Sequence, residues 1–108
     1  MREIGKSDLP GLRGLAFVAL YKEGCKPCEQ LDPVLEQLST EYGGVQFYRS
    51  HFVRGGLAQE FKLGELPTPT LVVLRDGKVV EHFTGAKYAK GVGGERVAAD
   101  SRYIRRRL

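Results

Sequence analysis

Residues 15–42 read LAFVALYKEGCKPCEQLDPVLEQLSTEY, and this stretch decides the fold. Leu15 to Tyr21 is a short continuous apolar run, closed by Lys22-Glu23-Gly24. Such a run suits a strand buried on both faces, as an inner parallel strand is. From Cys28 to Tyr42 the period changes. Leu31, Val34, Leu35 and Leu38 fall at i, i+3, i+4 and i+7, one apolar face of a helix. Glu29, Asp32, Glu36, Gln37 and Glu41 are expected to cover the solvated side, and Gly43-Gly44 ends the helix. Pro33 lies inside it and removes one backbone hydrogen bond, which predicts a kink.

Working outward, Val45 to Arg49 alternates and predicts a second strand. Gly55-Gly56 precedes a short helix at Leu57 to Phe61. Pro67 and Pro69 predict a loop, because neither can serve a central ladder. Thr70 to Leu74 is a third strand. Arg75-Asp76-Gly77-Lys78 is a hairpin turn, with Asp-Gly supplying the positive-φ positions, and Val79 to Phe83 is the fourth strand. Residues 1–13 predict an irregular or short helical lead-in, and residues 95–108 a final helix. The first two strands need a crossover connection and are therefore parallel, whereas the hairpin is antiparallel. The fold class is α/β, a mixed sheet flanked by helices, in one domain over residues 1–108.

The composition agrees with that class. The chain has 108 residues, 42% apolar and 28% charged, which excludes a disordered or low-complexity chain. Two cysteines allow one intramolecular bridge, so a disulfide-stapled mini-protein is excluded. No apolar run approaches the roughly 20 residues of a spanning helix. The opening MREIGKSDLPGLRG lacks the apolar core of a signal peptide. The expected location is cytoplasmic, without membrane contact. The net charge of +4 is uneven: residues 86–108 carry +5 and the rest −1. Arg105-Arg106-Arg107 reads as a solvated helix end rather than a phosphate-binding surface, so no nucleic-acid partner is expected.

Both cysteines fall in Cys25-Lys26-Pro27-Cys28, between the apolar strand and the amphipathic helix. In a first helical turn, residues three apart share a face, so the two sulfurs can meet. The helix N-terminus favours a thiolate at Cys25, and Lys26 adds to this if its ammonium approaches. Pro27 stiffens the turn without costing a needed donor. Cys25 is thus the expected attacking sulfur, and Cys28 the more buried resolving one. The alternative readings are two inert core cysteines or half of a metal site. Structural zinc needs four ligands, and the spacing to His51 and His82 matches no finger. Those histidines are expected to be surface or packed residues. Neither a metal nor a cofactor is expected.

With these residues in view, the sequence resembles the thioredoxin family over residues 14–86. The likeness rests on the strand-CxxC-helix joint, Pro33 five residues after Cys28, Pro69-Thr70 entering an apolar strand, Asp76-Gly77-Lys78 in the hairpin, and Gly85 after the last strand. The resemblance implies a thioredoxin-like fold with a four- to five-stranded mixed sheet. It implies thiol–disulfide exchange with disulfide-containing protein substrates and recycling by a reductase or a low-molecular-weight thiol, in a monomer. It also implies that the Thr68-Pro69 bond is cis and faces the dithiol, with Leu66-Pro67 trans. Thr68, Pro69 and Gly85 would then line the groove for an extended substrate segment. Gly24, Lys26, Pro27 and Pro69 would support the dithiol. Three departures stand out. Gly24 occupies the family's Trp position, Lys26-Pro27 replaces Gly-Pro, and Ala19 takes the place of a buried Asp under the second cysteine. Arg49 or Ser50 falls near the position of that Asp's lysine partner. Ala19 and Gly24 favour the alternative function, an adaptor of the same fold whose dithiol is slow or regulatory.

Overall fold

The computed structural model describes residues 1–83. Gly85, the expected C-terminal helix and the basic segment from Lys87 onward lie outside that range. Strand β1 (Arg2–Glu3) leads into a 3-10 helix over Lys6–Gly11. Then follow β2 (Leu15–Tyr21), α1 (Lys26–Glu41), β3 (Gln46–His51), α2 (Leu57–Glu60), β4 (Thr70–Arg75) and β5 (Lys78–Phe83). The sheet order is β1-β3-β2-β4-β5. β2 is parallel to β3 and antiparallel to β4, and β4-β5 is an antiparallel hairpin. Among the described residues the sheet is therefore mixed and five-stranded.

Alternation along β2 and β4 divides the apolar residues between the two faces. Phe17, Ala19, Leu71 and Val73 pack against Leu31, Val34, Leu35 and Leu38 of α1. Val18, Leu20, Val72 and Leu74 pack on the other face, against Ile4, Leu12, Phe52, Leu57 and Ala58. Strand side chains repeat with period two, so a central strand with apolar residues at every position feeds both layers. This accounts for the unbroken run read at residues 15–21. Each fully buried Leu or Phe contributes roughly 1.5–3 kcal/mol of transfer free energy.

The helix extends through Pro33 as one element, starting two residues earlier than its apolar period shows. The tight turn has Asp76 at φ 53° and Gly77 at φ 79°, the positive pair that Asp-Gly supplies most readily. Asp76 also accepts a hydrogen bond from the Gly14 amide at 2.8 Å and donates its own N–H to the Gly14 carbonyl. The hairpin is thus fastened to the start of β2. Strand β1 replaces part of the irregular lead-in that the sequence predicts. Its two exposed residues carry no apolar alternation, and its place comes from pairing along the edge of β3.

Candidate active site at the start of the first helix

Cys25 is the N-cap of α1, and its sulfur accepts a hydrogen bond from the Cys28 amide at 3.2 Å. A cap normally uses a side-chain oxygen to satisfy one of the free amides of the first turn. Here sulfur takes that task, at the positive end of the helix dipole. Pro27 occupies the first turn, where its missing N–H costs nothing. Lys26, the first helical residue, is exposed. Cys25 and Cys28 form a disulfide with Cα atoms 5.2 Å apart. Cys25 is partly exposed, whereas Cys28 is 6% exposed. The pairing and the inequality of burial follow the reading of the CxxC motif.

The Thr68-Pro69 bond is cis, and Leu66-Pro67 is trans. Thr68 lies against the dithiol: its hydroxyl donates to the Cys25 sulfur at 3.5 Å. The sequence suggested only a backbone role for Thr68, so this side-chain contact is new. Pro69 is buried behind it at the entrance to β4. Gly24 has φ +76° and open space where a side chain would project. A residue with a Cβ is strained at that angle, so the glycine is dictated by the backbone as it turns from β2 into α1.

A second layer surrounds the cysteines. A cavity of about 250 Å³ is lined by Cys25, Cys28, Asp32, Arg49, Tyr21 and their neighbours Lys22, Glu23, Gly24 and Glu29. Arg49 sits opposite Ala19 in the β2–β3 register, on the face covered by α1. Ser50 points to the other face and donates to the Ile4 carbonyl. Of these two residues, Arg49 is therefore the one on the dithiol side. Its guanidinium lies 4.0 Å from the Tyr21 ring centroid and 3.5 Å from a carboxylate oxygen of Asp32. Burial raises the Asp32 pKa; Arg49 opposes this and only partly offsets it. The helical pattern predicts Asp32 on the solvated side of α1. It is half-buried instead, because it follows Cys28 by one helical turn and so shares its face. That spacing was the available signal.

Glu23 forms a separate cluster. Its carboxylate takes hydrogen bonds from Arg54 and from His51 Nε2 at 2.7 Å. The Val53 and Arg54 amides donate to His51 Nδ1, which places the ring proton on Nε2. Arg54 foremost, then the residue's own backbone amide and His51, pulls the Glu23 pKa down to about 2. His51 is packed and His82 exposed. Among the described residues no cluster of three or more His, Cys, Asp or Glu could hold a metal, and no helix is long and apolar enough to cross a membrane.

Comparison with known proteins gives the same assignment. A thioredoxin family model matches residues 8–93. A thioredoxin from Chlamydia muridarum is 36% identical over 68% of this chain and 72% of its own length. The chloroplastic thioredoxin F1 of Arabidopsis thaliana is 34% identical over 68% of this chain, which spans only 42% of that protein. The X-ray structure of Fasciola hepatica thioredoxin superposes with a TM-score of 0.71 at 23% identity, covering 99% of this chain and 95% of that one, and so supports the fold. With a disulfide-forming cysteine pair whose first member caps its first long helix, the chain belongs to the thioredoxin family.

Proposed function

We propose that this protein exchanges disulfides with protein substrates through Cys25 and Cys28. The observation that carries this reading is the setting of Cys25. The residue is partly exposed, and its sulfur caps a helix and faces two hydrogen-bond donors, the Cys28 amide and the Thr68 hydroxyl. Those donors favour a thiolate once the pair is reduced. The Cys25 thiolate attacks a substrate disulfide and forms a mixed disulfide. Cys28 then attacks the Cys25 sulfur, closing the intrachain bond and releasing the substrate as a dithiol. Thr68 and Pro69 provide the edge against which an extended substrate segment lies. A reductase or a low-molecular-weight thiol restores the dithiol. The direction of exchange follows the reduction potential relative to the surroundings.

The adaptor reading is favoured by Ala19, a buried residue without a proton-accepting group beside Arg49. One experiment separates the two. Insulin reduction by dithiothreitol is followed with the protein, with Cys25→Ser and with Cys28→Ser. Exchange predicts acceleration by the unaltered protein alone, and covalent capture of substrate by Cys28→Ser but not by Cys25→Ser. A reduced protein that leaves the insulin rate unchanged establishes the adaptor reading.

A further inference from the structure

We propose that Asp32 is the proton acceptor for the Cys28 thiol in the resolving step, with Arg49 as its positioning residue. The proposal rests on the exchange function above. Cys28 is buried, so its proton has little direct access to water. It must nevertheless lose that proton before its sulfur can attack, because the thiolate is the nucleophile. An acceptor has to lie on the Cys28 side of the helix and open onto the same space.

Asp32 meets both conditions. It follows Cys28 by four residues on α1, and both line the cavity that also contains Cys25. Its carboxylate is 3.5 Å from Arg49 Nη1, an ion pair without a close hydrogen bond. Arg49 Nε is buried and has no hydrogen-bond partner among the described residues. The guanidinium also stacks on the Tyr21 ring at 4.0 Å, which fixes the cation beside the Asp32 carboxylate at the rim of the shared cavity. The other candidates are weaker. Ala19, beside Arg49 on β2, cannot accept a proton. Glu23 is tied to Arg54 and His51 and held near 2, so it is a poor base. Asp32 is displaced in the opposite direction by burial, which makes it the better base at neutral pH. The charges facing Asp32 are Arg49 from β3, the α-amino group of Met1, and Glu29 and Glu36 from its own helix. Lys22, Glu23 and Tyr21 line the same cavity.

The step balances as follows. The proton leaves Cys28 Sγ for an Asp32 carboxylate oxygen. The thiolate attacks Cys25 Sγ, the Cys25–Cys28 bond forms, and the bond from Cys25 to the substrate sulfur breaks. The two cysteines together lose two electrons, which the substrate disulfide gains on becoming a dithiol. The departing sulfur leaves as a thiolate and takes up a proton, which resets Asp32 when it comes from there.

The test uses reduced protein and 5,5′-dithiobis(2-nitrobenzoate) in stopped flow, read by release of thionitrobenzoate. The first equivalent reports attack by Cys25 and calibrates each variant. The second reports attack by Cys28. In Asp32→Asn the ratio of the second rate to the first should fall by about a hundredfold at neutral pH, the lower end of general-base assistance. Its second rate should also rise in proportion to hydroxide, whereas the unaltered protein shows a flatter profile between about pH 6 and 8. Asp32→Glu should restore the flatter profile. Arg49→Gln should move the acid limb to higher pH, since removing a cation makes the carboxylate more basic. An unchanged ratio and profile in Asp32→Asn overturns the proposal, as does a lower ratio with the profile unaltered, which marks a merely structural role. Absence of the first phase in the unaltered protein overturns the exchange function itself, and this proposal with it.

Discussion

The Thr68 hydroxyl donates to the Cys25 sulfur across 3.5 Å, joining two segments 43 positions apart in the chain. The contact places a donor from the loop before β4 directly on the sulfur that caps α1. With the Cys28 amide it forms a two-donor cradle.

Removing one of these donors should be measurable. Thr68→Val preserves shape and deletes the hydroxyl. Iodoacetamide alkylation of reduced Cys25 at pH 7 should slow by a factor on the order of 2–10, the worth of one modest hydrogen bond to the thiolate. The pH of half-maximal labelling should move upward. Equal labelling curves for the two proteins would show that the hydroxyl does not stabilise the reactive form.

The Glu23 carboxylate gives a prediction about acid stability. Its folded-state pKa, about 2, lies below the ordinary 4.5. A depressed carboxylate contributes stability that is present above the unfolded pKa and is lost as pH falls through the folded one. Between pH 4.5 and about 2, therefore, the unaltered protein should lose more stability than Glu23→Gln does. Urea midpoints measured across that window check this, and two parallel curves would count against the Arg54–Glu23–His51 cluster.

Placing a carboxylate at Ala19 tests the strand side of the site. Ala19 is 3% exposed and opposite Arg49 in register. Ala19→Asp should cost on the order of 2–4 kcal/mol, because the charge is buried and Arg49 already faces Asp32. It should also quicken insulin reduction at neutral pH by offering a second acceptor. A folded variant with an unchanged rate would place the proton route away from the β2–β3 side.

Two glycines form a matched pair. Gly24 and Gly77 both have positive φ, but a Cβ meets nothing at Gly24 and falls 2.7 Å from the Leu9 carbonyl oxygen at Gly77. Gly24→Ala should cost about 1–2 kcal/mol from backbone conformation alone. Gly77→Ala should cost more, because a backbone oxygen must also move. Thermal melts compare them directly, and equal losses would mean that the hairpin shifts without penalty.

Most of the fold was legible in the sequence because local patterns carried it. Leu15 to Tyr21, the 31/34/35/38 spacing and Asp76-Gly77 each set their own element. The same holds for the dithiol, whose geometry follows from two cysteines in one helical turn. What escaped came from contacts between distant segments. Arg2–Glu3 becomes a strand because β3 offers an edge. Asp32 looks like one more solvated acid until β3 sets Arg49 beside it. Glu23, His51 and Arg54 are brought together by the parallel pairing of β2 and β3, whose register aligns Tyr21 with His51. Nothing in the spacing of residues 23, 51 and 54 announces that cluster.

The sulfur cap has a consequence for how the protein signals its own state. In the oxidised form the group receiving the Cys28 amide is an uncharged disulfide sulfur. Once reduced and ionised, the same atom carries a full negative charge at the positive end of α1, and the bond becomes charge-assisted. The leading turn of α1 is thus fastened more or less firmly according to how many electrons the chain holds. Amide exchange at Cys28 and Glu29 would read that count without any probe of the thiols.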